Sequence, residues 1–341
     1  REQIFFPGSY GKTRTEIYTK PKNKLTISVI FFPTLINKKI QTIFAYGNIS
    51  INFDENGYIN VVYNNQIYST KKKLPIKKWY KINFEVARSS NISIKIDVMD
   101  LKNSVEICSY SLNNVEETLE GQHSLVIIGA SFSDNSIENF FNGKIEAPVI
   151  SQDGTTLASW DFSTDMSKTF VEGINCPKLE LINFPTRAVT GSSWDGTEMN
   201  WNHNPTHYSA IHFHEDDIYD FNWETDFTFK IPKSMKSGIY LMRLKCSNYE
   251  DAIPFFVCPS IEELGPKLCV LVSTFTYSIY GNHSRPDYSG SWQSRIKKWN
   301  AYPYNPAEYK DYGLSTYNYH SDGSGICHSS FRRPLFNLRP G

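Results

Sequence analysis

Four groups of residues in this sequence combine types and spacings that can do chemistry. The first two groups are tyrosine-bearing. Ser273-Thr-Phe-Thr-Tyr277-Ser-Ile-Tyr280-Gly-Asn and Gly313-Leu-Ser-Thr-Tyr317-Asn-Tyr-His320-Ser-Asp322-Gly-Ser-Gly325 both read as polar segments. A phenol ionises near pH ~10, so tyrosinate ligation needs a hard, highly charged ion such as ferric iron. The plainer reading is structural tyrosines with hydrogen-bonded hydroxyls. In the third group, Ala210-Ile-His-Phe-His-Glu-Asp-Asp217, His212 and His214 share one face if the segment is a strand. That spacing can chelate a metal with Glu215 or Asp216 nearby, and His203 and His207 lie close in sequence. The plainer reading is a polar strand end with hydrogen-bonded imidazoles. The fourth is Cys327 with His320 and His328, a thiol that would need one imidazole as its base. No oxyanion motif accompanies it. Asp54-Glu-Asn-Gly57 is acidic enough to invite a calcium reading, but no spaced Asp-x-Asp series supports it, and it is first a hairpin turn.

These groups must be held by elements, and the patterning is that of strands. Aromatic residues make up 15% of the chain, which favours β structure. Apolar and polar residues alternate over 24–32, 49–53, 58–63, 79–86 and 92–98, with further strands expected at 124–130 and 144–150. Strands at intervals of about ten residues, separated by turns, argue for an antiparallel sandwich. Ser159-Trp-Asp-Phe-Ser163 is expected to pack back on it. A second β unit, Ig-like in its spacing, is expected from strands at 226–231, 238–245 and 253–257. Lys267-Leu-Cys-Val-Leu-Val-Ser273 is continuously apolar, as strands of doubly covered parallel sheets are. Ligands of such open sheets bind beyond the strands' carboxyl ends, which is where the first tyrosine segment begins. No amphipathic helix is expected before about residue 285.

Composition removes several classes of function. Lys and Arg total 35 and Asp and Glu total 35, so the basic excess of a general nucleic-acid binder is missing. No run approaches the ~18 apolar residues of a membrane span. The N-terminal segment has no signal-peptide pattern, and six scattered cysteines without a C-x-x-C pair are expected as reduced, buried thiols of a cytoplasmic protein. A Cys246–Cys258 hairpin disulfide is the alternative. The sequons at Asn48, Asn91 and Asn282 carry no weight without a secretory signal.

The tyrosine segments resemble the large (β) subunit of the N,N-dimethylformamidase family. The likeness lies in Thr274–Asn282, in Tyr312–Gly325, which is its most specific part, and in Ser329–Pro340. Tyr208–Asp217, Trp223–Asp226 and Lys236–Tyr240 also resemble that family's Ig-like region, and the N-terminal part is similar to laminin-G/concanavalin-like domains. The resemblance implies a mainly β chain. Residues 1–165 would form a laminin-G/concanavalin-like sandwich, 166–258 an Ig-like sandwich, and 259–341 the start of an α/β, glutamine-amidotransferase-like catalytic domain that continues past Gly341. It also implies a mononuclear iron site of two tyrosines and one glutamate, hydrolysing small N-substituted formamides to formate and an amine. A small helical subunit would be the partner in a hetero-oligomer. Tyr317 matches the second tyrosine ligand, and the first is Tyr277 or Tyr280. His320, Asn318 and Asp322 are candidates to orient the ligands. The carboxylate ligand is expected beyond Gly341; Glu308 and Glu262 lie nearest but in no matching motif. The alternative from another class is a non-catalytic glycan- or protein-binding protein built from sandwich modules.

Overall fold

The computed structural model describes residues 3–88, 91–115, 119, 121–133, 136–261, 267–284, 290–299 and 306–336. The chain divides into two compact units. The larger comprises Pro7–Ile218 and His320–Ser324; the smaller comprises Arg1–Phe6, Tyr219–Tyr319 and Gly325–Gly341.

The larger unit is built from antiparallel sheets. One runs Val105–Val115, Ile92–Asp100, Tyr80–Arg88, Lys24–Pro33, Gly143–Gln152, Thr155–Trp160 and Gly173–Ile174 in spatial order. The other runs Phe170–Val171, Leu179–Ile182, Tyr10–Thr13, Val126–Ile128, Gln41–Tyr46, Ile49–Phe53, Ile59–Tyr63 and Gln66–Ser69. The reason these segments become strands is local. Lys24–Pro33 alternates strictly between half-buried and buried positions, turning Leu25, Ile27, Val29 and Phe31 into the core. Ile82, Phe84 and Val86, then Ile94, Ile96 and Val98, do the same from the neighbouring strands, and one apolar cluster joins both sheets. The turn at Asp54–Gly57 forms as its sequence dictates. The Asp54 carboxylate accepts the backbone N–H groups of Asn56 and Tyr58 and the Asn60 amide, and Gly57 has φ 82°. Its oxygens are thus engaged by the chain itself.

The element that matters for function is Ala210–Phe213. It pairs with the first half of Gly143–Gln152, Lys144 opposite His212, and with Thr186–Val189 on its other side. Gly143–Gln152 is interrupted between Glu146 and Val149, with Ala147 at φ 47°. Pro148 cannot donate to the ladder, so a bulge stands there. Strands between 170 and 213 thus pair into the sandwich, whose unit runs on to Ile218 past the boundary expected at 165.

Among its described residues the smaller unit holds one hairpin, Gly238–Cys246 with Tyr249–Val257, and two α-helices, α1 (Thr274–Tyr280) and α2 (Gly290–Trp299). Two strand expectations fail here. Residues 226–231 form no strand although they alternate, and Phe227, Phe229 and Ile231 stay exposed. Residues 267–273 form none either, with Leu268 and Leu271 almost fully exposed. Alternation or apolarity gives a segment the capacity to pair; a strand exists only where a partner's backbone meets it, and none does among the described residues. α1 is a short helix before residue 285 whose one buried residue is the polar Ser278. All six cysteines are unbonded, and Cys246, Cys258, Cys269 and Cys327 are exposed rather than buried. Among the described residues, no helix is long and apolar enough to cross a membrane.

Candidate functional site

Two clusters emerge, one in each unit. In the smaller unit the Tyr280 and Tyr317 hydroxyls are 2.7 Å apart and their rings stack at 4.5 Å. Tyr280 comes from the last residue of α1, and Tyr317 from a loop held against that helix end. The sequence of α1, Thr-Phe-Thr-Tyr-Ser-Ile-Tyr, is rich in poor helix formers. Its terminal carbonyls, which a helix leaves without internal partners, are taken up from outside. Ser315 Oγ donates to Ile279 O at 2.9 Å, and the Thr316 N–H donates to the same oxygen. Ser329 Oγ donates to Ser278 O.

Arg333 is the hub of this packing. Its guanidinium donates to the carbonyls of Gly313, Leu314, Ser278, Gly281 and Ser330. It bridges the end of α1 and the loop that leads to Tyr317. The residue is buried, and burial lowers its pKa to about 10. Asn282 adds a second clamp, donating to Gly313 O and Pro334 O and accepting the Phe336 N–H. Asn318 donates to Ser284 O and accepts the Ser284 N–H, so its side chain braces the loop beside Tyr317. The His283 ring stands edge-on to Tyr317 at 6.4 Å, and its Nδ1 is buried without a hydrogen-bond partner among the described residues.

The phenol pair favours the shared proton. The hydrogen bond with Tyr317, then its charge, holds the Tyr280 hydroxyl above its ordinary value. Two oxygens at 2.7 Å match the edge of an octahedron, where ligands at about 2.0 Å and right angles sit about 2.8 Å apart. The donor set therefore fits two ligands of one hard cation. Tyr280, rather than Tyr277, meets Tyr317. Tyr277 lies one turn earlier in α1, 40% exposed. Glu308 ends a short 3-10 turn, Pro306–Glu308, and Glu262 lies outside the described residues.

The second cluster lies in the larger unit, at the end of Ala210–Phe213. His212 and His214 approach at 4.0 Å between ring centroids, and His320 stacks on His214 at 3.8 Å and 8°. His212 Nε2 is 3.1 Å from Asp322 Oδ2, and His214 Nε2 is 2.9 Å from Ser324 Oγ. His214 Nδ1 is 3.1 Å from Asp217 Oδ2, which also accepts from Ser9 Oγ at 2.6 Å. His320 Nδ1 is 2.8 Å from Asp216 Oδ1, and Asp216 Oδ2 accepts the Ser321 N–H. Burial drives His212 down to about 4, against the pull of Asp322. Burial would raise the Asp322 carboxyl, but hydrogen bonds from His212 and Ser324 hold it far below the usual carboxylate range. Burial also works against a proton on His320, and Asp216 and Asp217 overcome it and raise the imidazole.

His320 and Asp322, expected to orient tyrosine ligands, are thus hydrogen-bonded within the sandwich unit to Asp216 and His212. Glu215 Oε1 accepts from Ser321 Oγ and Glu215 Oε2 from the Asn37 amide. His203 pairs with Glu198 on a separate loop, and His207 stands 3.6 Å from Asp195. Cys327 Sγ lies 3.4 Å from Gly325 O, while His320 is committed to Asp216. Sequence reasoning missed Asp217, Ser324, His283 and Arg333. Asp217 directly follows Asp216 and was legible as a neighbour; Arg333 gave no local signal, because its partners are backbone carbonyls.

Residues 186–341 match the family model described as N,N-dimethylformamidase beta subunit-like, C-terminal. The N,N-dimethylformamidase beta subunit of Paracoccus aminophilus is 34% identical over 229 residues, covering 59% of this chain and 30% of the relative. That of an Alcaligenes species is 34% identical over 228 residues, covering 63% of this chain and 29% of the relative. The chain therefore spans about 30% of the length of these curated relatives. Among solved structures, the LG1-3 region of the laminin alpha2 chain aligns with 51% of this chain and 34% of its own, at 11% identity and a TM-score of 0.33, too slight a likeness to carry an argument. The family match contains Tyr280, Tyr317, His212, His214 and Asp322 alike, and this region of the chain is similar to two curated N,N-dimethylformamidase beta subunits at 34% identity.

Proposed function

We propose that this chain contributes the tyrosine ligands of a mononuclear iron site in a C–N hydrolase acting on small N-substituted formamides. The observation that carries this reading is the Tyr280–Tyr317 hydroxyl pair at 2.7 Å, inside the region matched to the family. A ferric ion held there would polarise an amide carbonyl and activate water at neutral pH. The chain's own residues do the positioning. Arg333, Asn282 and Ser315 fix the helix end and loop that carry the two phenols, and Asn318 braces the loop beside Tyr317. Water adds to the formyl carbon, the C–N bond breaks, the nitrogen takes the proton, and formate and an amine leave. The carboxylate ligand and the walls of the substrate pocket would come from the remainder of the enzyme, this chain spanning about 30% of the length of its curated relatives. There the apolar run 267–273 would find strand neighbours in an α/β domain and the 238–257 hairpin a place in an Ig-like sandwich. A small helical subunit in a cytoplasmic hetero-oligomer completes the reading, in line with relatives named as beta subunits.

The test is metal content and visible absorption of the complete enzyme. Stoichiometric iron with a tyrosinate-to-iron charge-transfer band, both lost in Tyr317→Phe, supports the reading. Full iron occupancy in that variant sinks it.

A groove of about 570 Å³ in the sandwich unit favours a second reading as a glycan binder. Amides and hydroxyls of Asn48, Asn65, Ser50 and Ser131 line it, beside the exposed ring of Phe132, which suits sugar stacking. Binding on a glycan array that Phe132→Ala abolishes would bring this reading forward; an array without hits removes it.

A further inference from the structure

We propose that His212 Nε2, His214 Nε2 and Asp322 Oδ2 form a structural binding site for a zinc-class divalent cation within the sandwich unit. The three ligand atoms lie within 4.8 Å of one another. The Asp322 oxygen stands 3.1 Å from His212 Nε2 and 3.8 Å from His214 Nε2. Donors of a tetrahedral ion with bonds of about 2.0–2.1 Å are about 3.4 Å apart, so small side-chain shifts close the site. Ser324 Oγ adjoins the same space, 2.9 Å from His214 Nε2, as a fourth donor.

Orientation supports the assignment. The Asp217 carboxylate faces His214 Nδ1 at 3.1 Å, and the other ring nitrogen, Nε2, is turned toward Asp322 and Ser324. The atoms it faces are acceptors or shared donors. Asp322 Oδ2 is 3.8 Å away, and Ser324 Oγ donates to Asp322 Oδ1 at 2.5 Å. A carboxylate fixing the far nitrogen of an imidazole ligand is the arrangement that outer partners of metal sites adopt. Asp217 is itself anchored by Ser9 Oγ.

Charge supports it as well. Three carboxylates, Asp216, Asp217 and Asp322, converge on three imidazoles packed at 4.0 and 3.8 Å. Protonating all three rings would place like charges in contact. Lys144, across the strand pair from His212, turns its ammonium to Thr190. A divalent ion offsets the remaining negative charge. The side chains of His214 and Asp322 are 1% and 0% exposed, so the site is closed, as structural zinc sites are. Bound there, the ion fastens loop 320–324 to the end of Ala210–Phe213. The inference does not depend on the iron reading.

The experiment uses this chain in the Tyr317→Phe background, so that metal counted cannot sit on the tyrosine pair. The chain is stripped with chelator, dialysed against Zn²⁺, and its metal is counted; Co²⁺ is then loaded as a spectroscopic substitute. We expect stoichiometric zinc, visible cobalt bands of a low-coordinate imidazole site, and loss of both in His212→Gln and Asp322→Asn. Asp217→Asn, which alters the partner of His214 Nδ1 and none of the three ligand atoms, should weaken zinc affinity by roughly 10–100-fold. Zinc content equal in all variants overturns the proposal, as does a folded parent that takes up neither ion. Where a variant fails to fold, the cobalt spectrum of the parent decides: bands with imidazole features support the site, and their absence removes it.

Discussion

Two phenol oxygens 2.7 Å apart are spaced as a pair of ligands to one ion. One proton satisfies both oxygens, and removing the second sets two anions in contact, which only a cation relieves. The hydrogen bond shared with Tyr317, then the charge of Tyr317, raises Tyr280 above its ordinary value. In the metal-free chain, ultraviolet titration should therefore show Tyr280 ionising later than a free phenol, and Tyr317→Phe should bring it back down. A Tyr280 titration unchanged by Tyr317→Phe would contradict the pairing. The same geometry separates the two candidate first ligands. Tyr280→Phe should abolish the iron band of the complete enzyme, whereas Tyr277→Phe should leave it, since Tyr277 lies a turn away. The spacing of Tyr277 and Tyr280 in the sequence could not make that choice, because both precede the same glycine and their difference is an angle around a helix.

At the scale of elements, α1 exists because its neighbours complete it. Its residues have low helix propensity, and its last carbonyls bond to Arg333, Ser315, Thr316 and Ser329 rather than to a following turn. Arg333 donates to five carbonyls, those of Ser278 and Gly281 at the end of α1 and of Gly313, Leu314 and Ser330, from a rigid fork, and one ammonium cannot reach all five. Arg333→Lys should cost roughly 3 kcal/mol through carbonyls left without donors. Chemical denaturation would measure it, and the iron band should weaken with it as the two tyrosines separate. A variant of unchanged stability and spectrum would mean that α1 is held by other contacts. The Ala210–Phe213 strand shows the complementary case. Its alternation of His212 and His214 was legible, but its carboxylate partner arrives on loop 320–324, over a hundred residues later.

At the scale of the molecule, the two units differ in how they are stabilised. The apolar cluster lies wholly in the sandwich unit, drawing on both sheets. Phe84 is fully buried at its centre. Phe84→Ala should cost about 3–5 kcal/mol, read as a shift in urea midpoint by tryptophan fluorescence. A shift below a quarter of that would show that the cluster does not carry the unit. In the smaller unit Ile239, Leu241, Leu268, Leu271 and Phe275 stay exposed.

The sequence by itself determined the strands of the sandwich, the Asp54–Gly57 turn and the two tyrosine segments. These are local properties: side-chain alternation fixes which residues face the core, and a glycine or an Asx side chain fixes a turn. It did not determine which segments find a pairing partner, so 226–231 and 267–273 read as strands and form none. It placed His320 and Asp322 beside Tyr317 because they are near it in the chain. Only the tertiary structure assigned them to His212, His214 and Asp216, because a buried carboxylate goes where imidazole and hydroxyl groups can satisfy it, and sequence distance does not enter that balance.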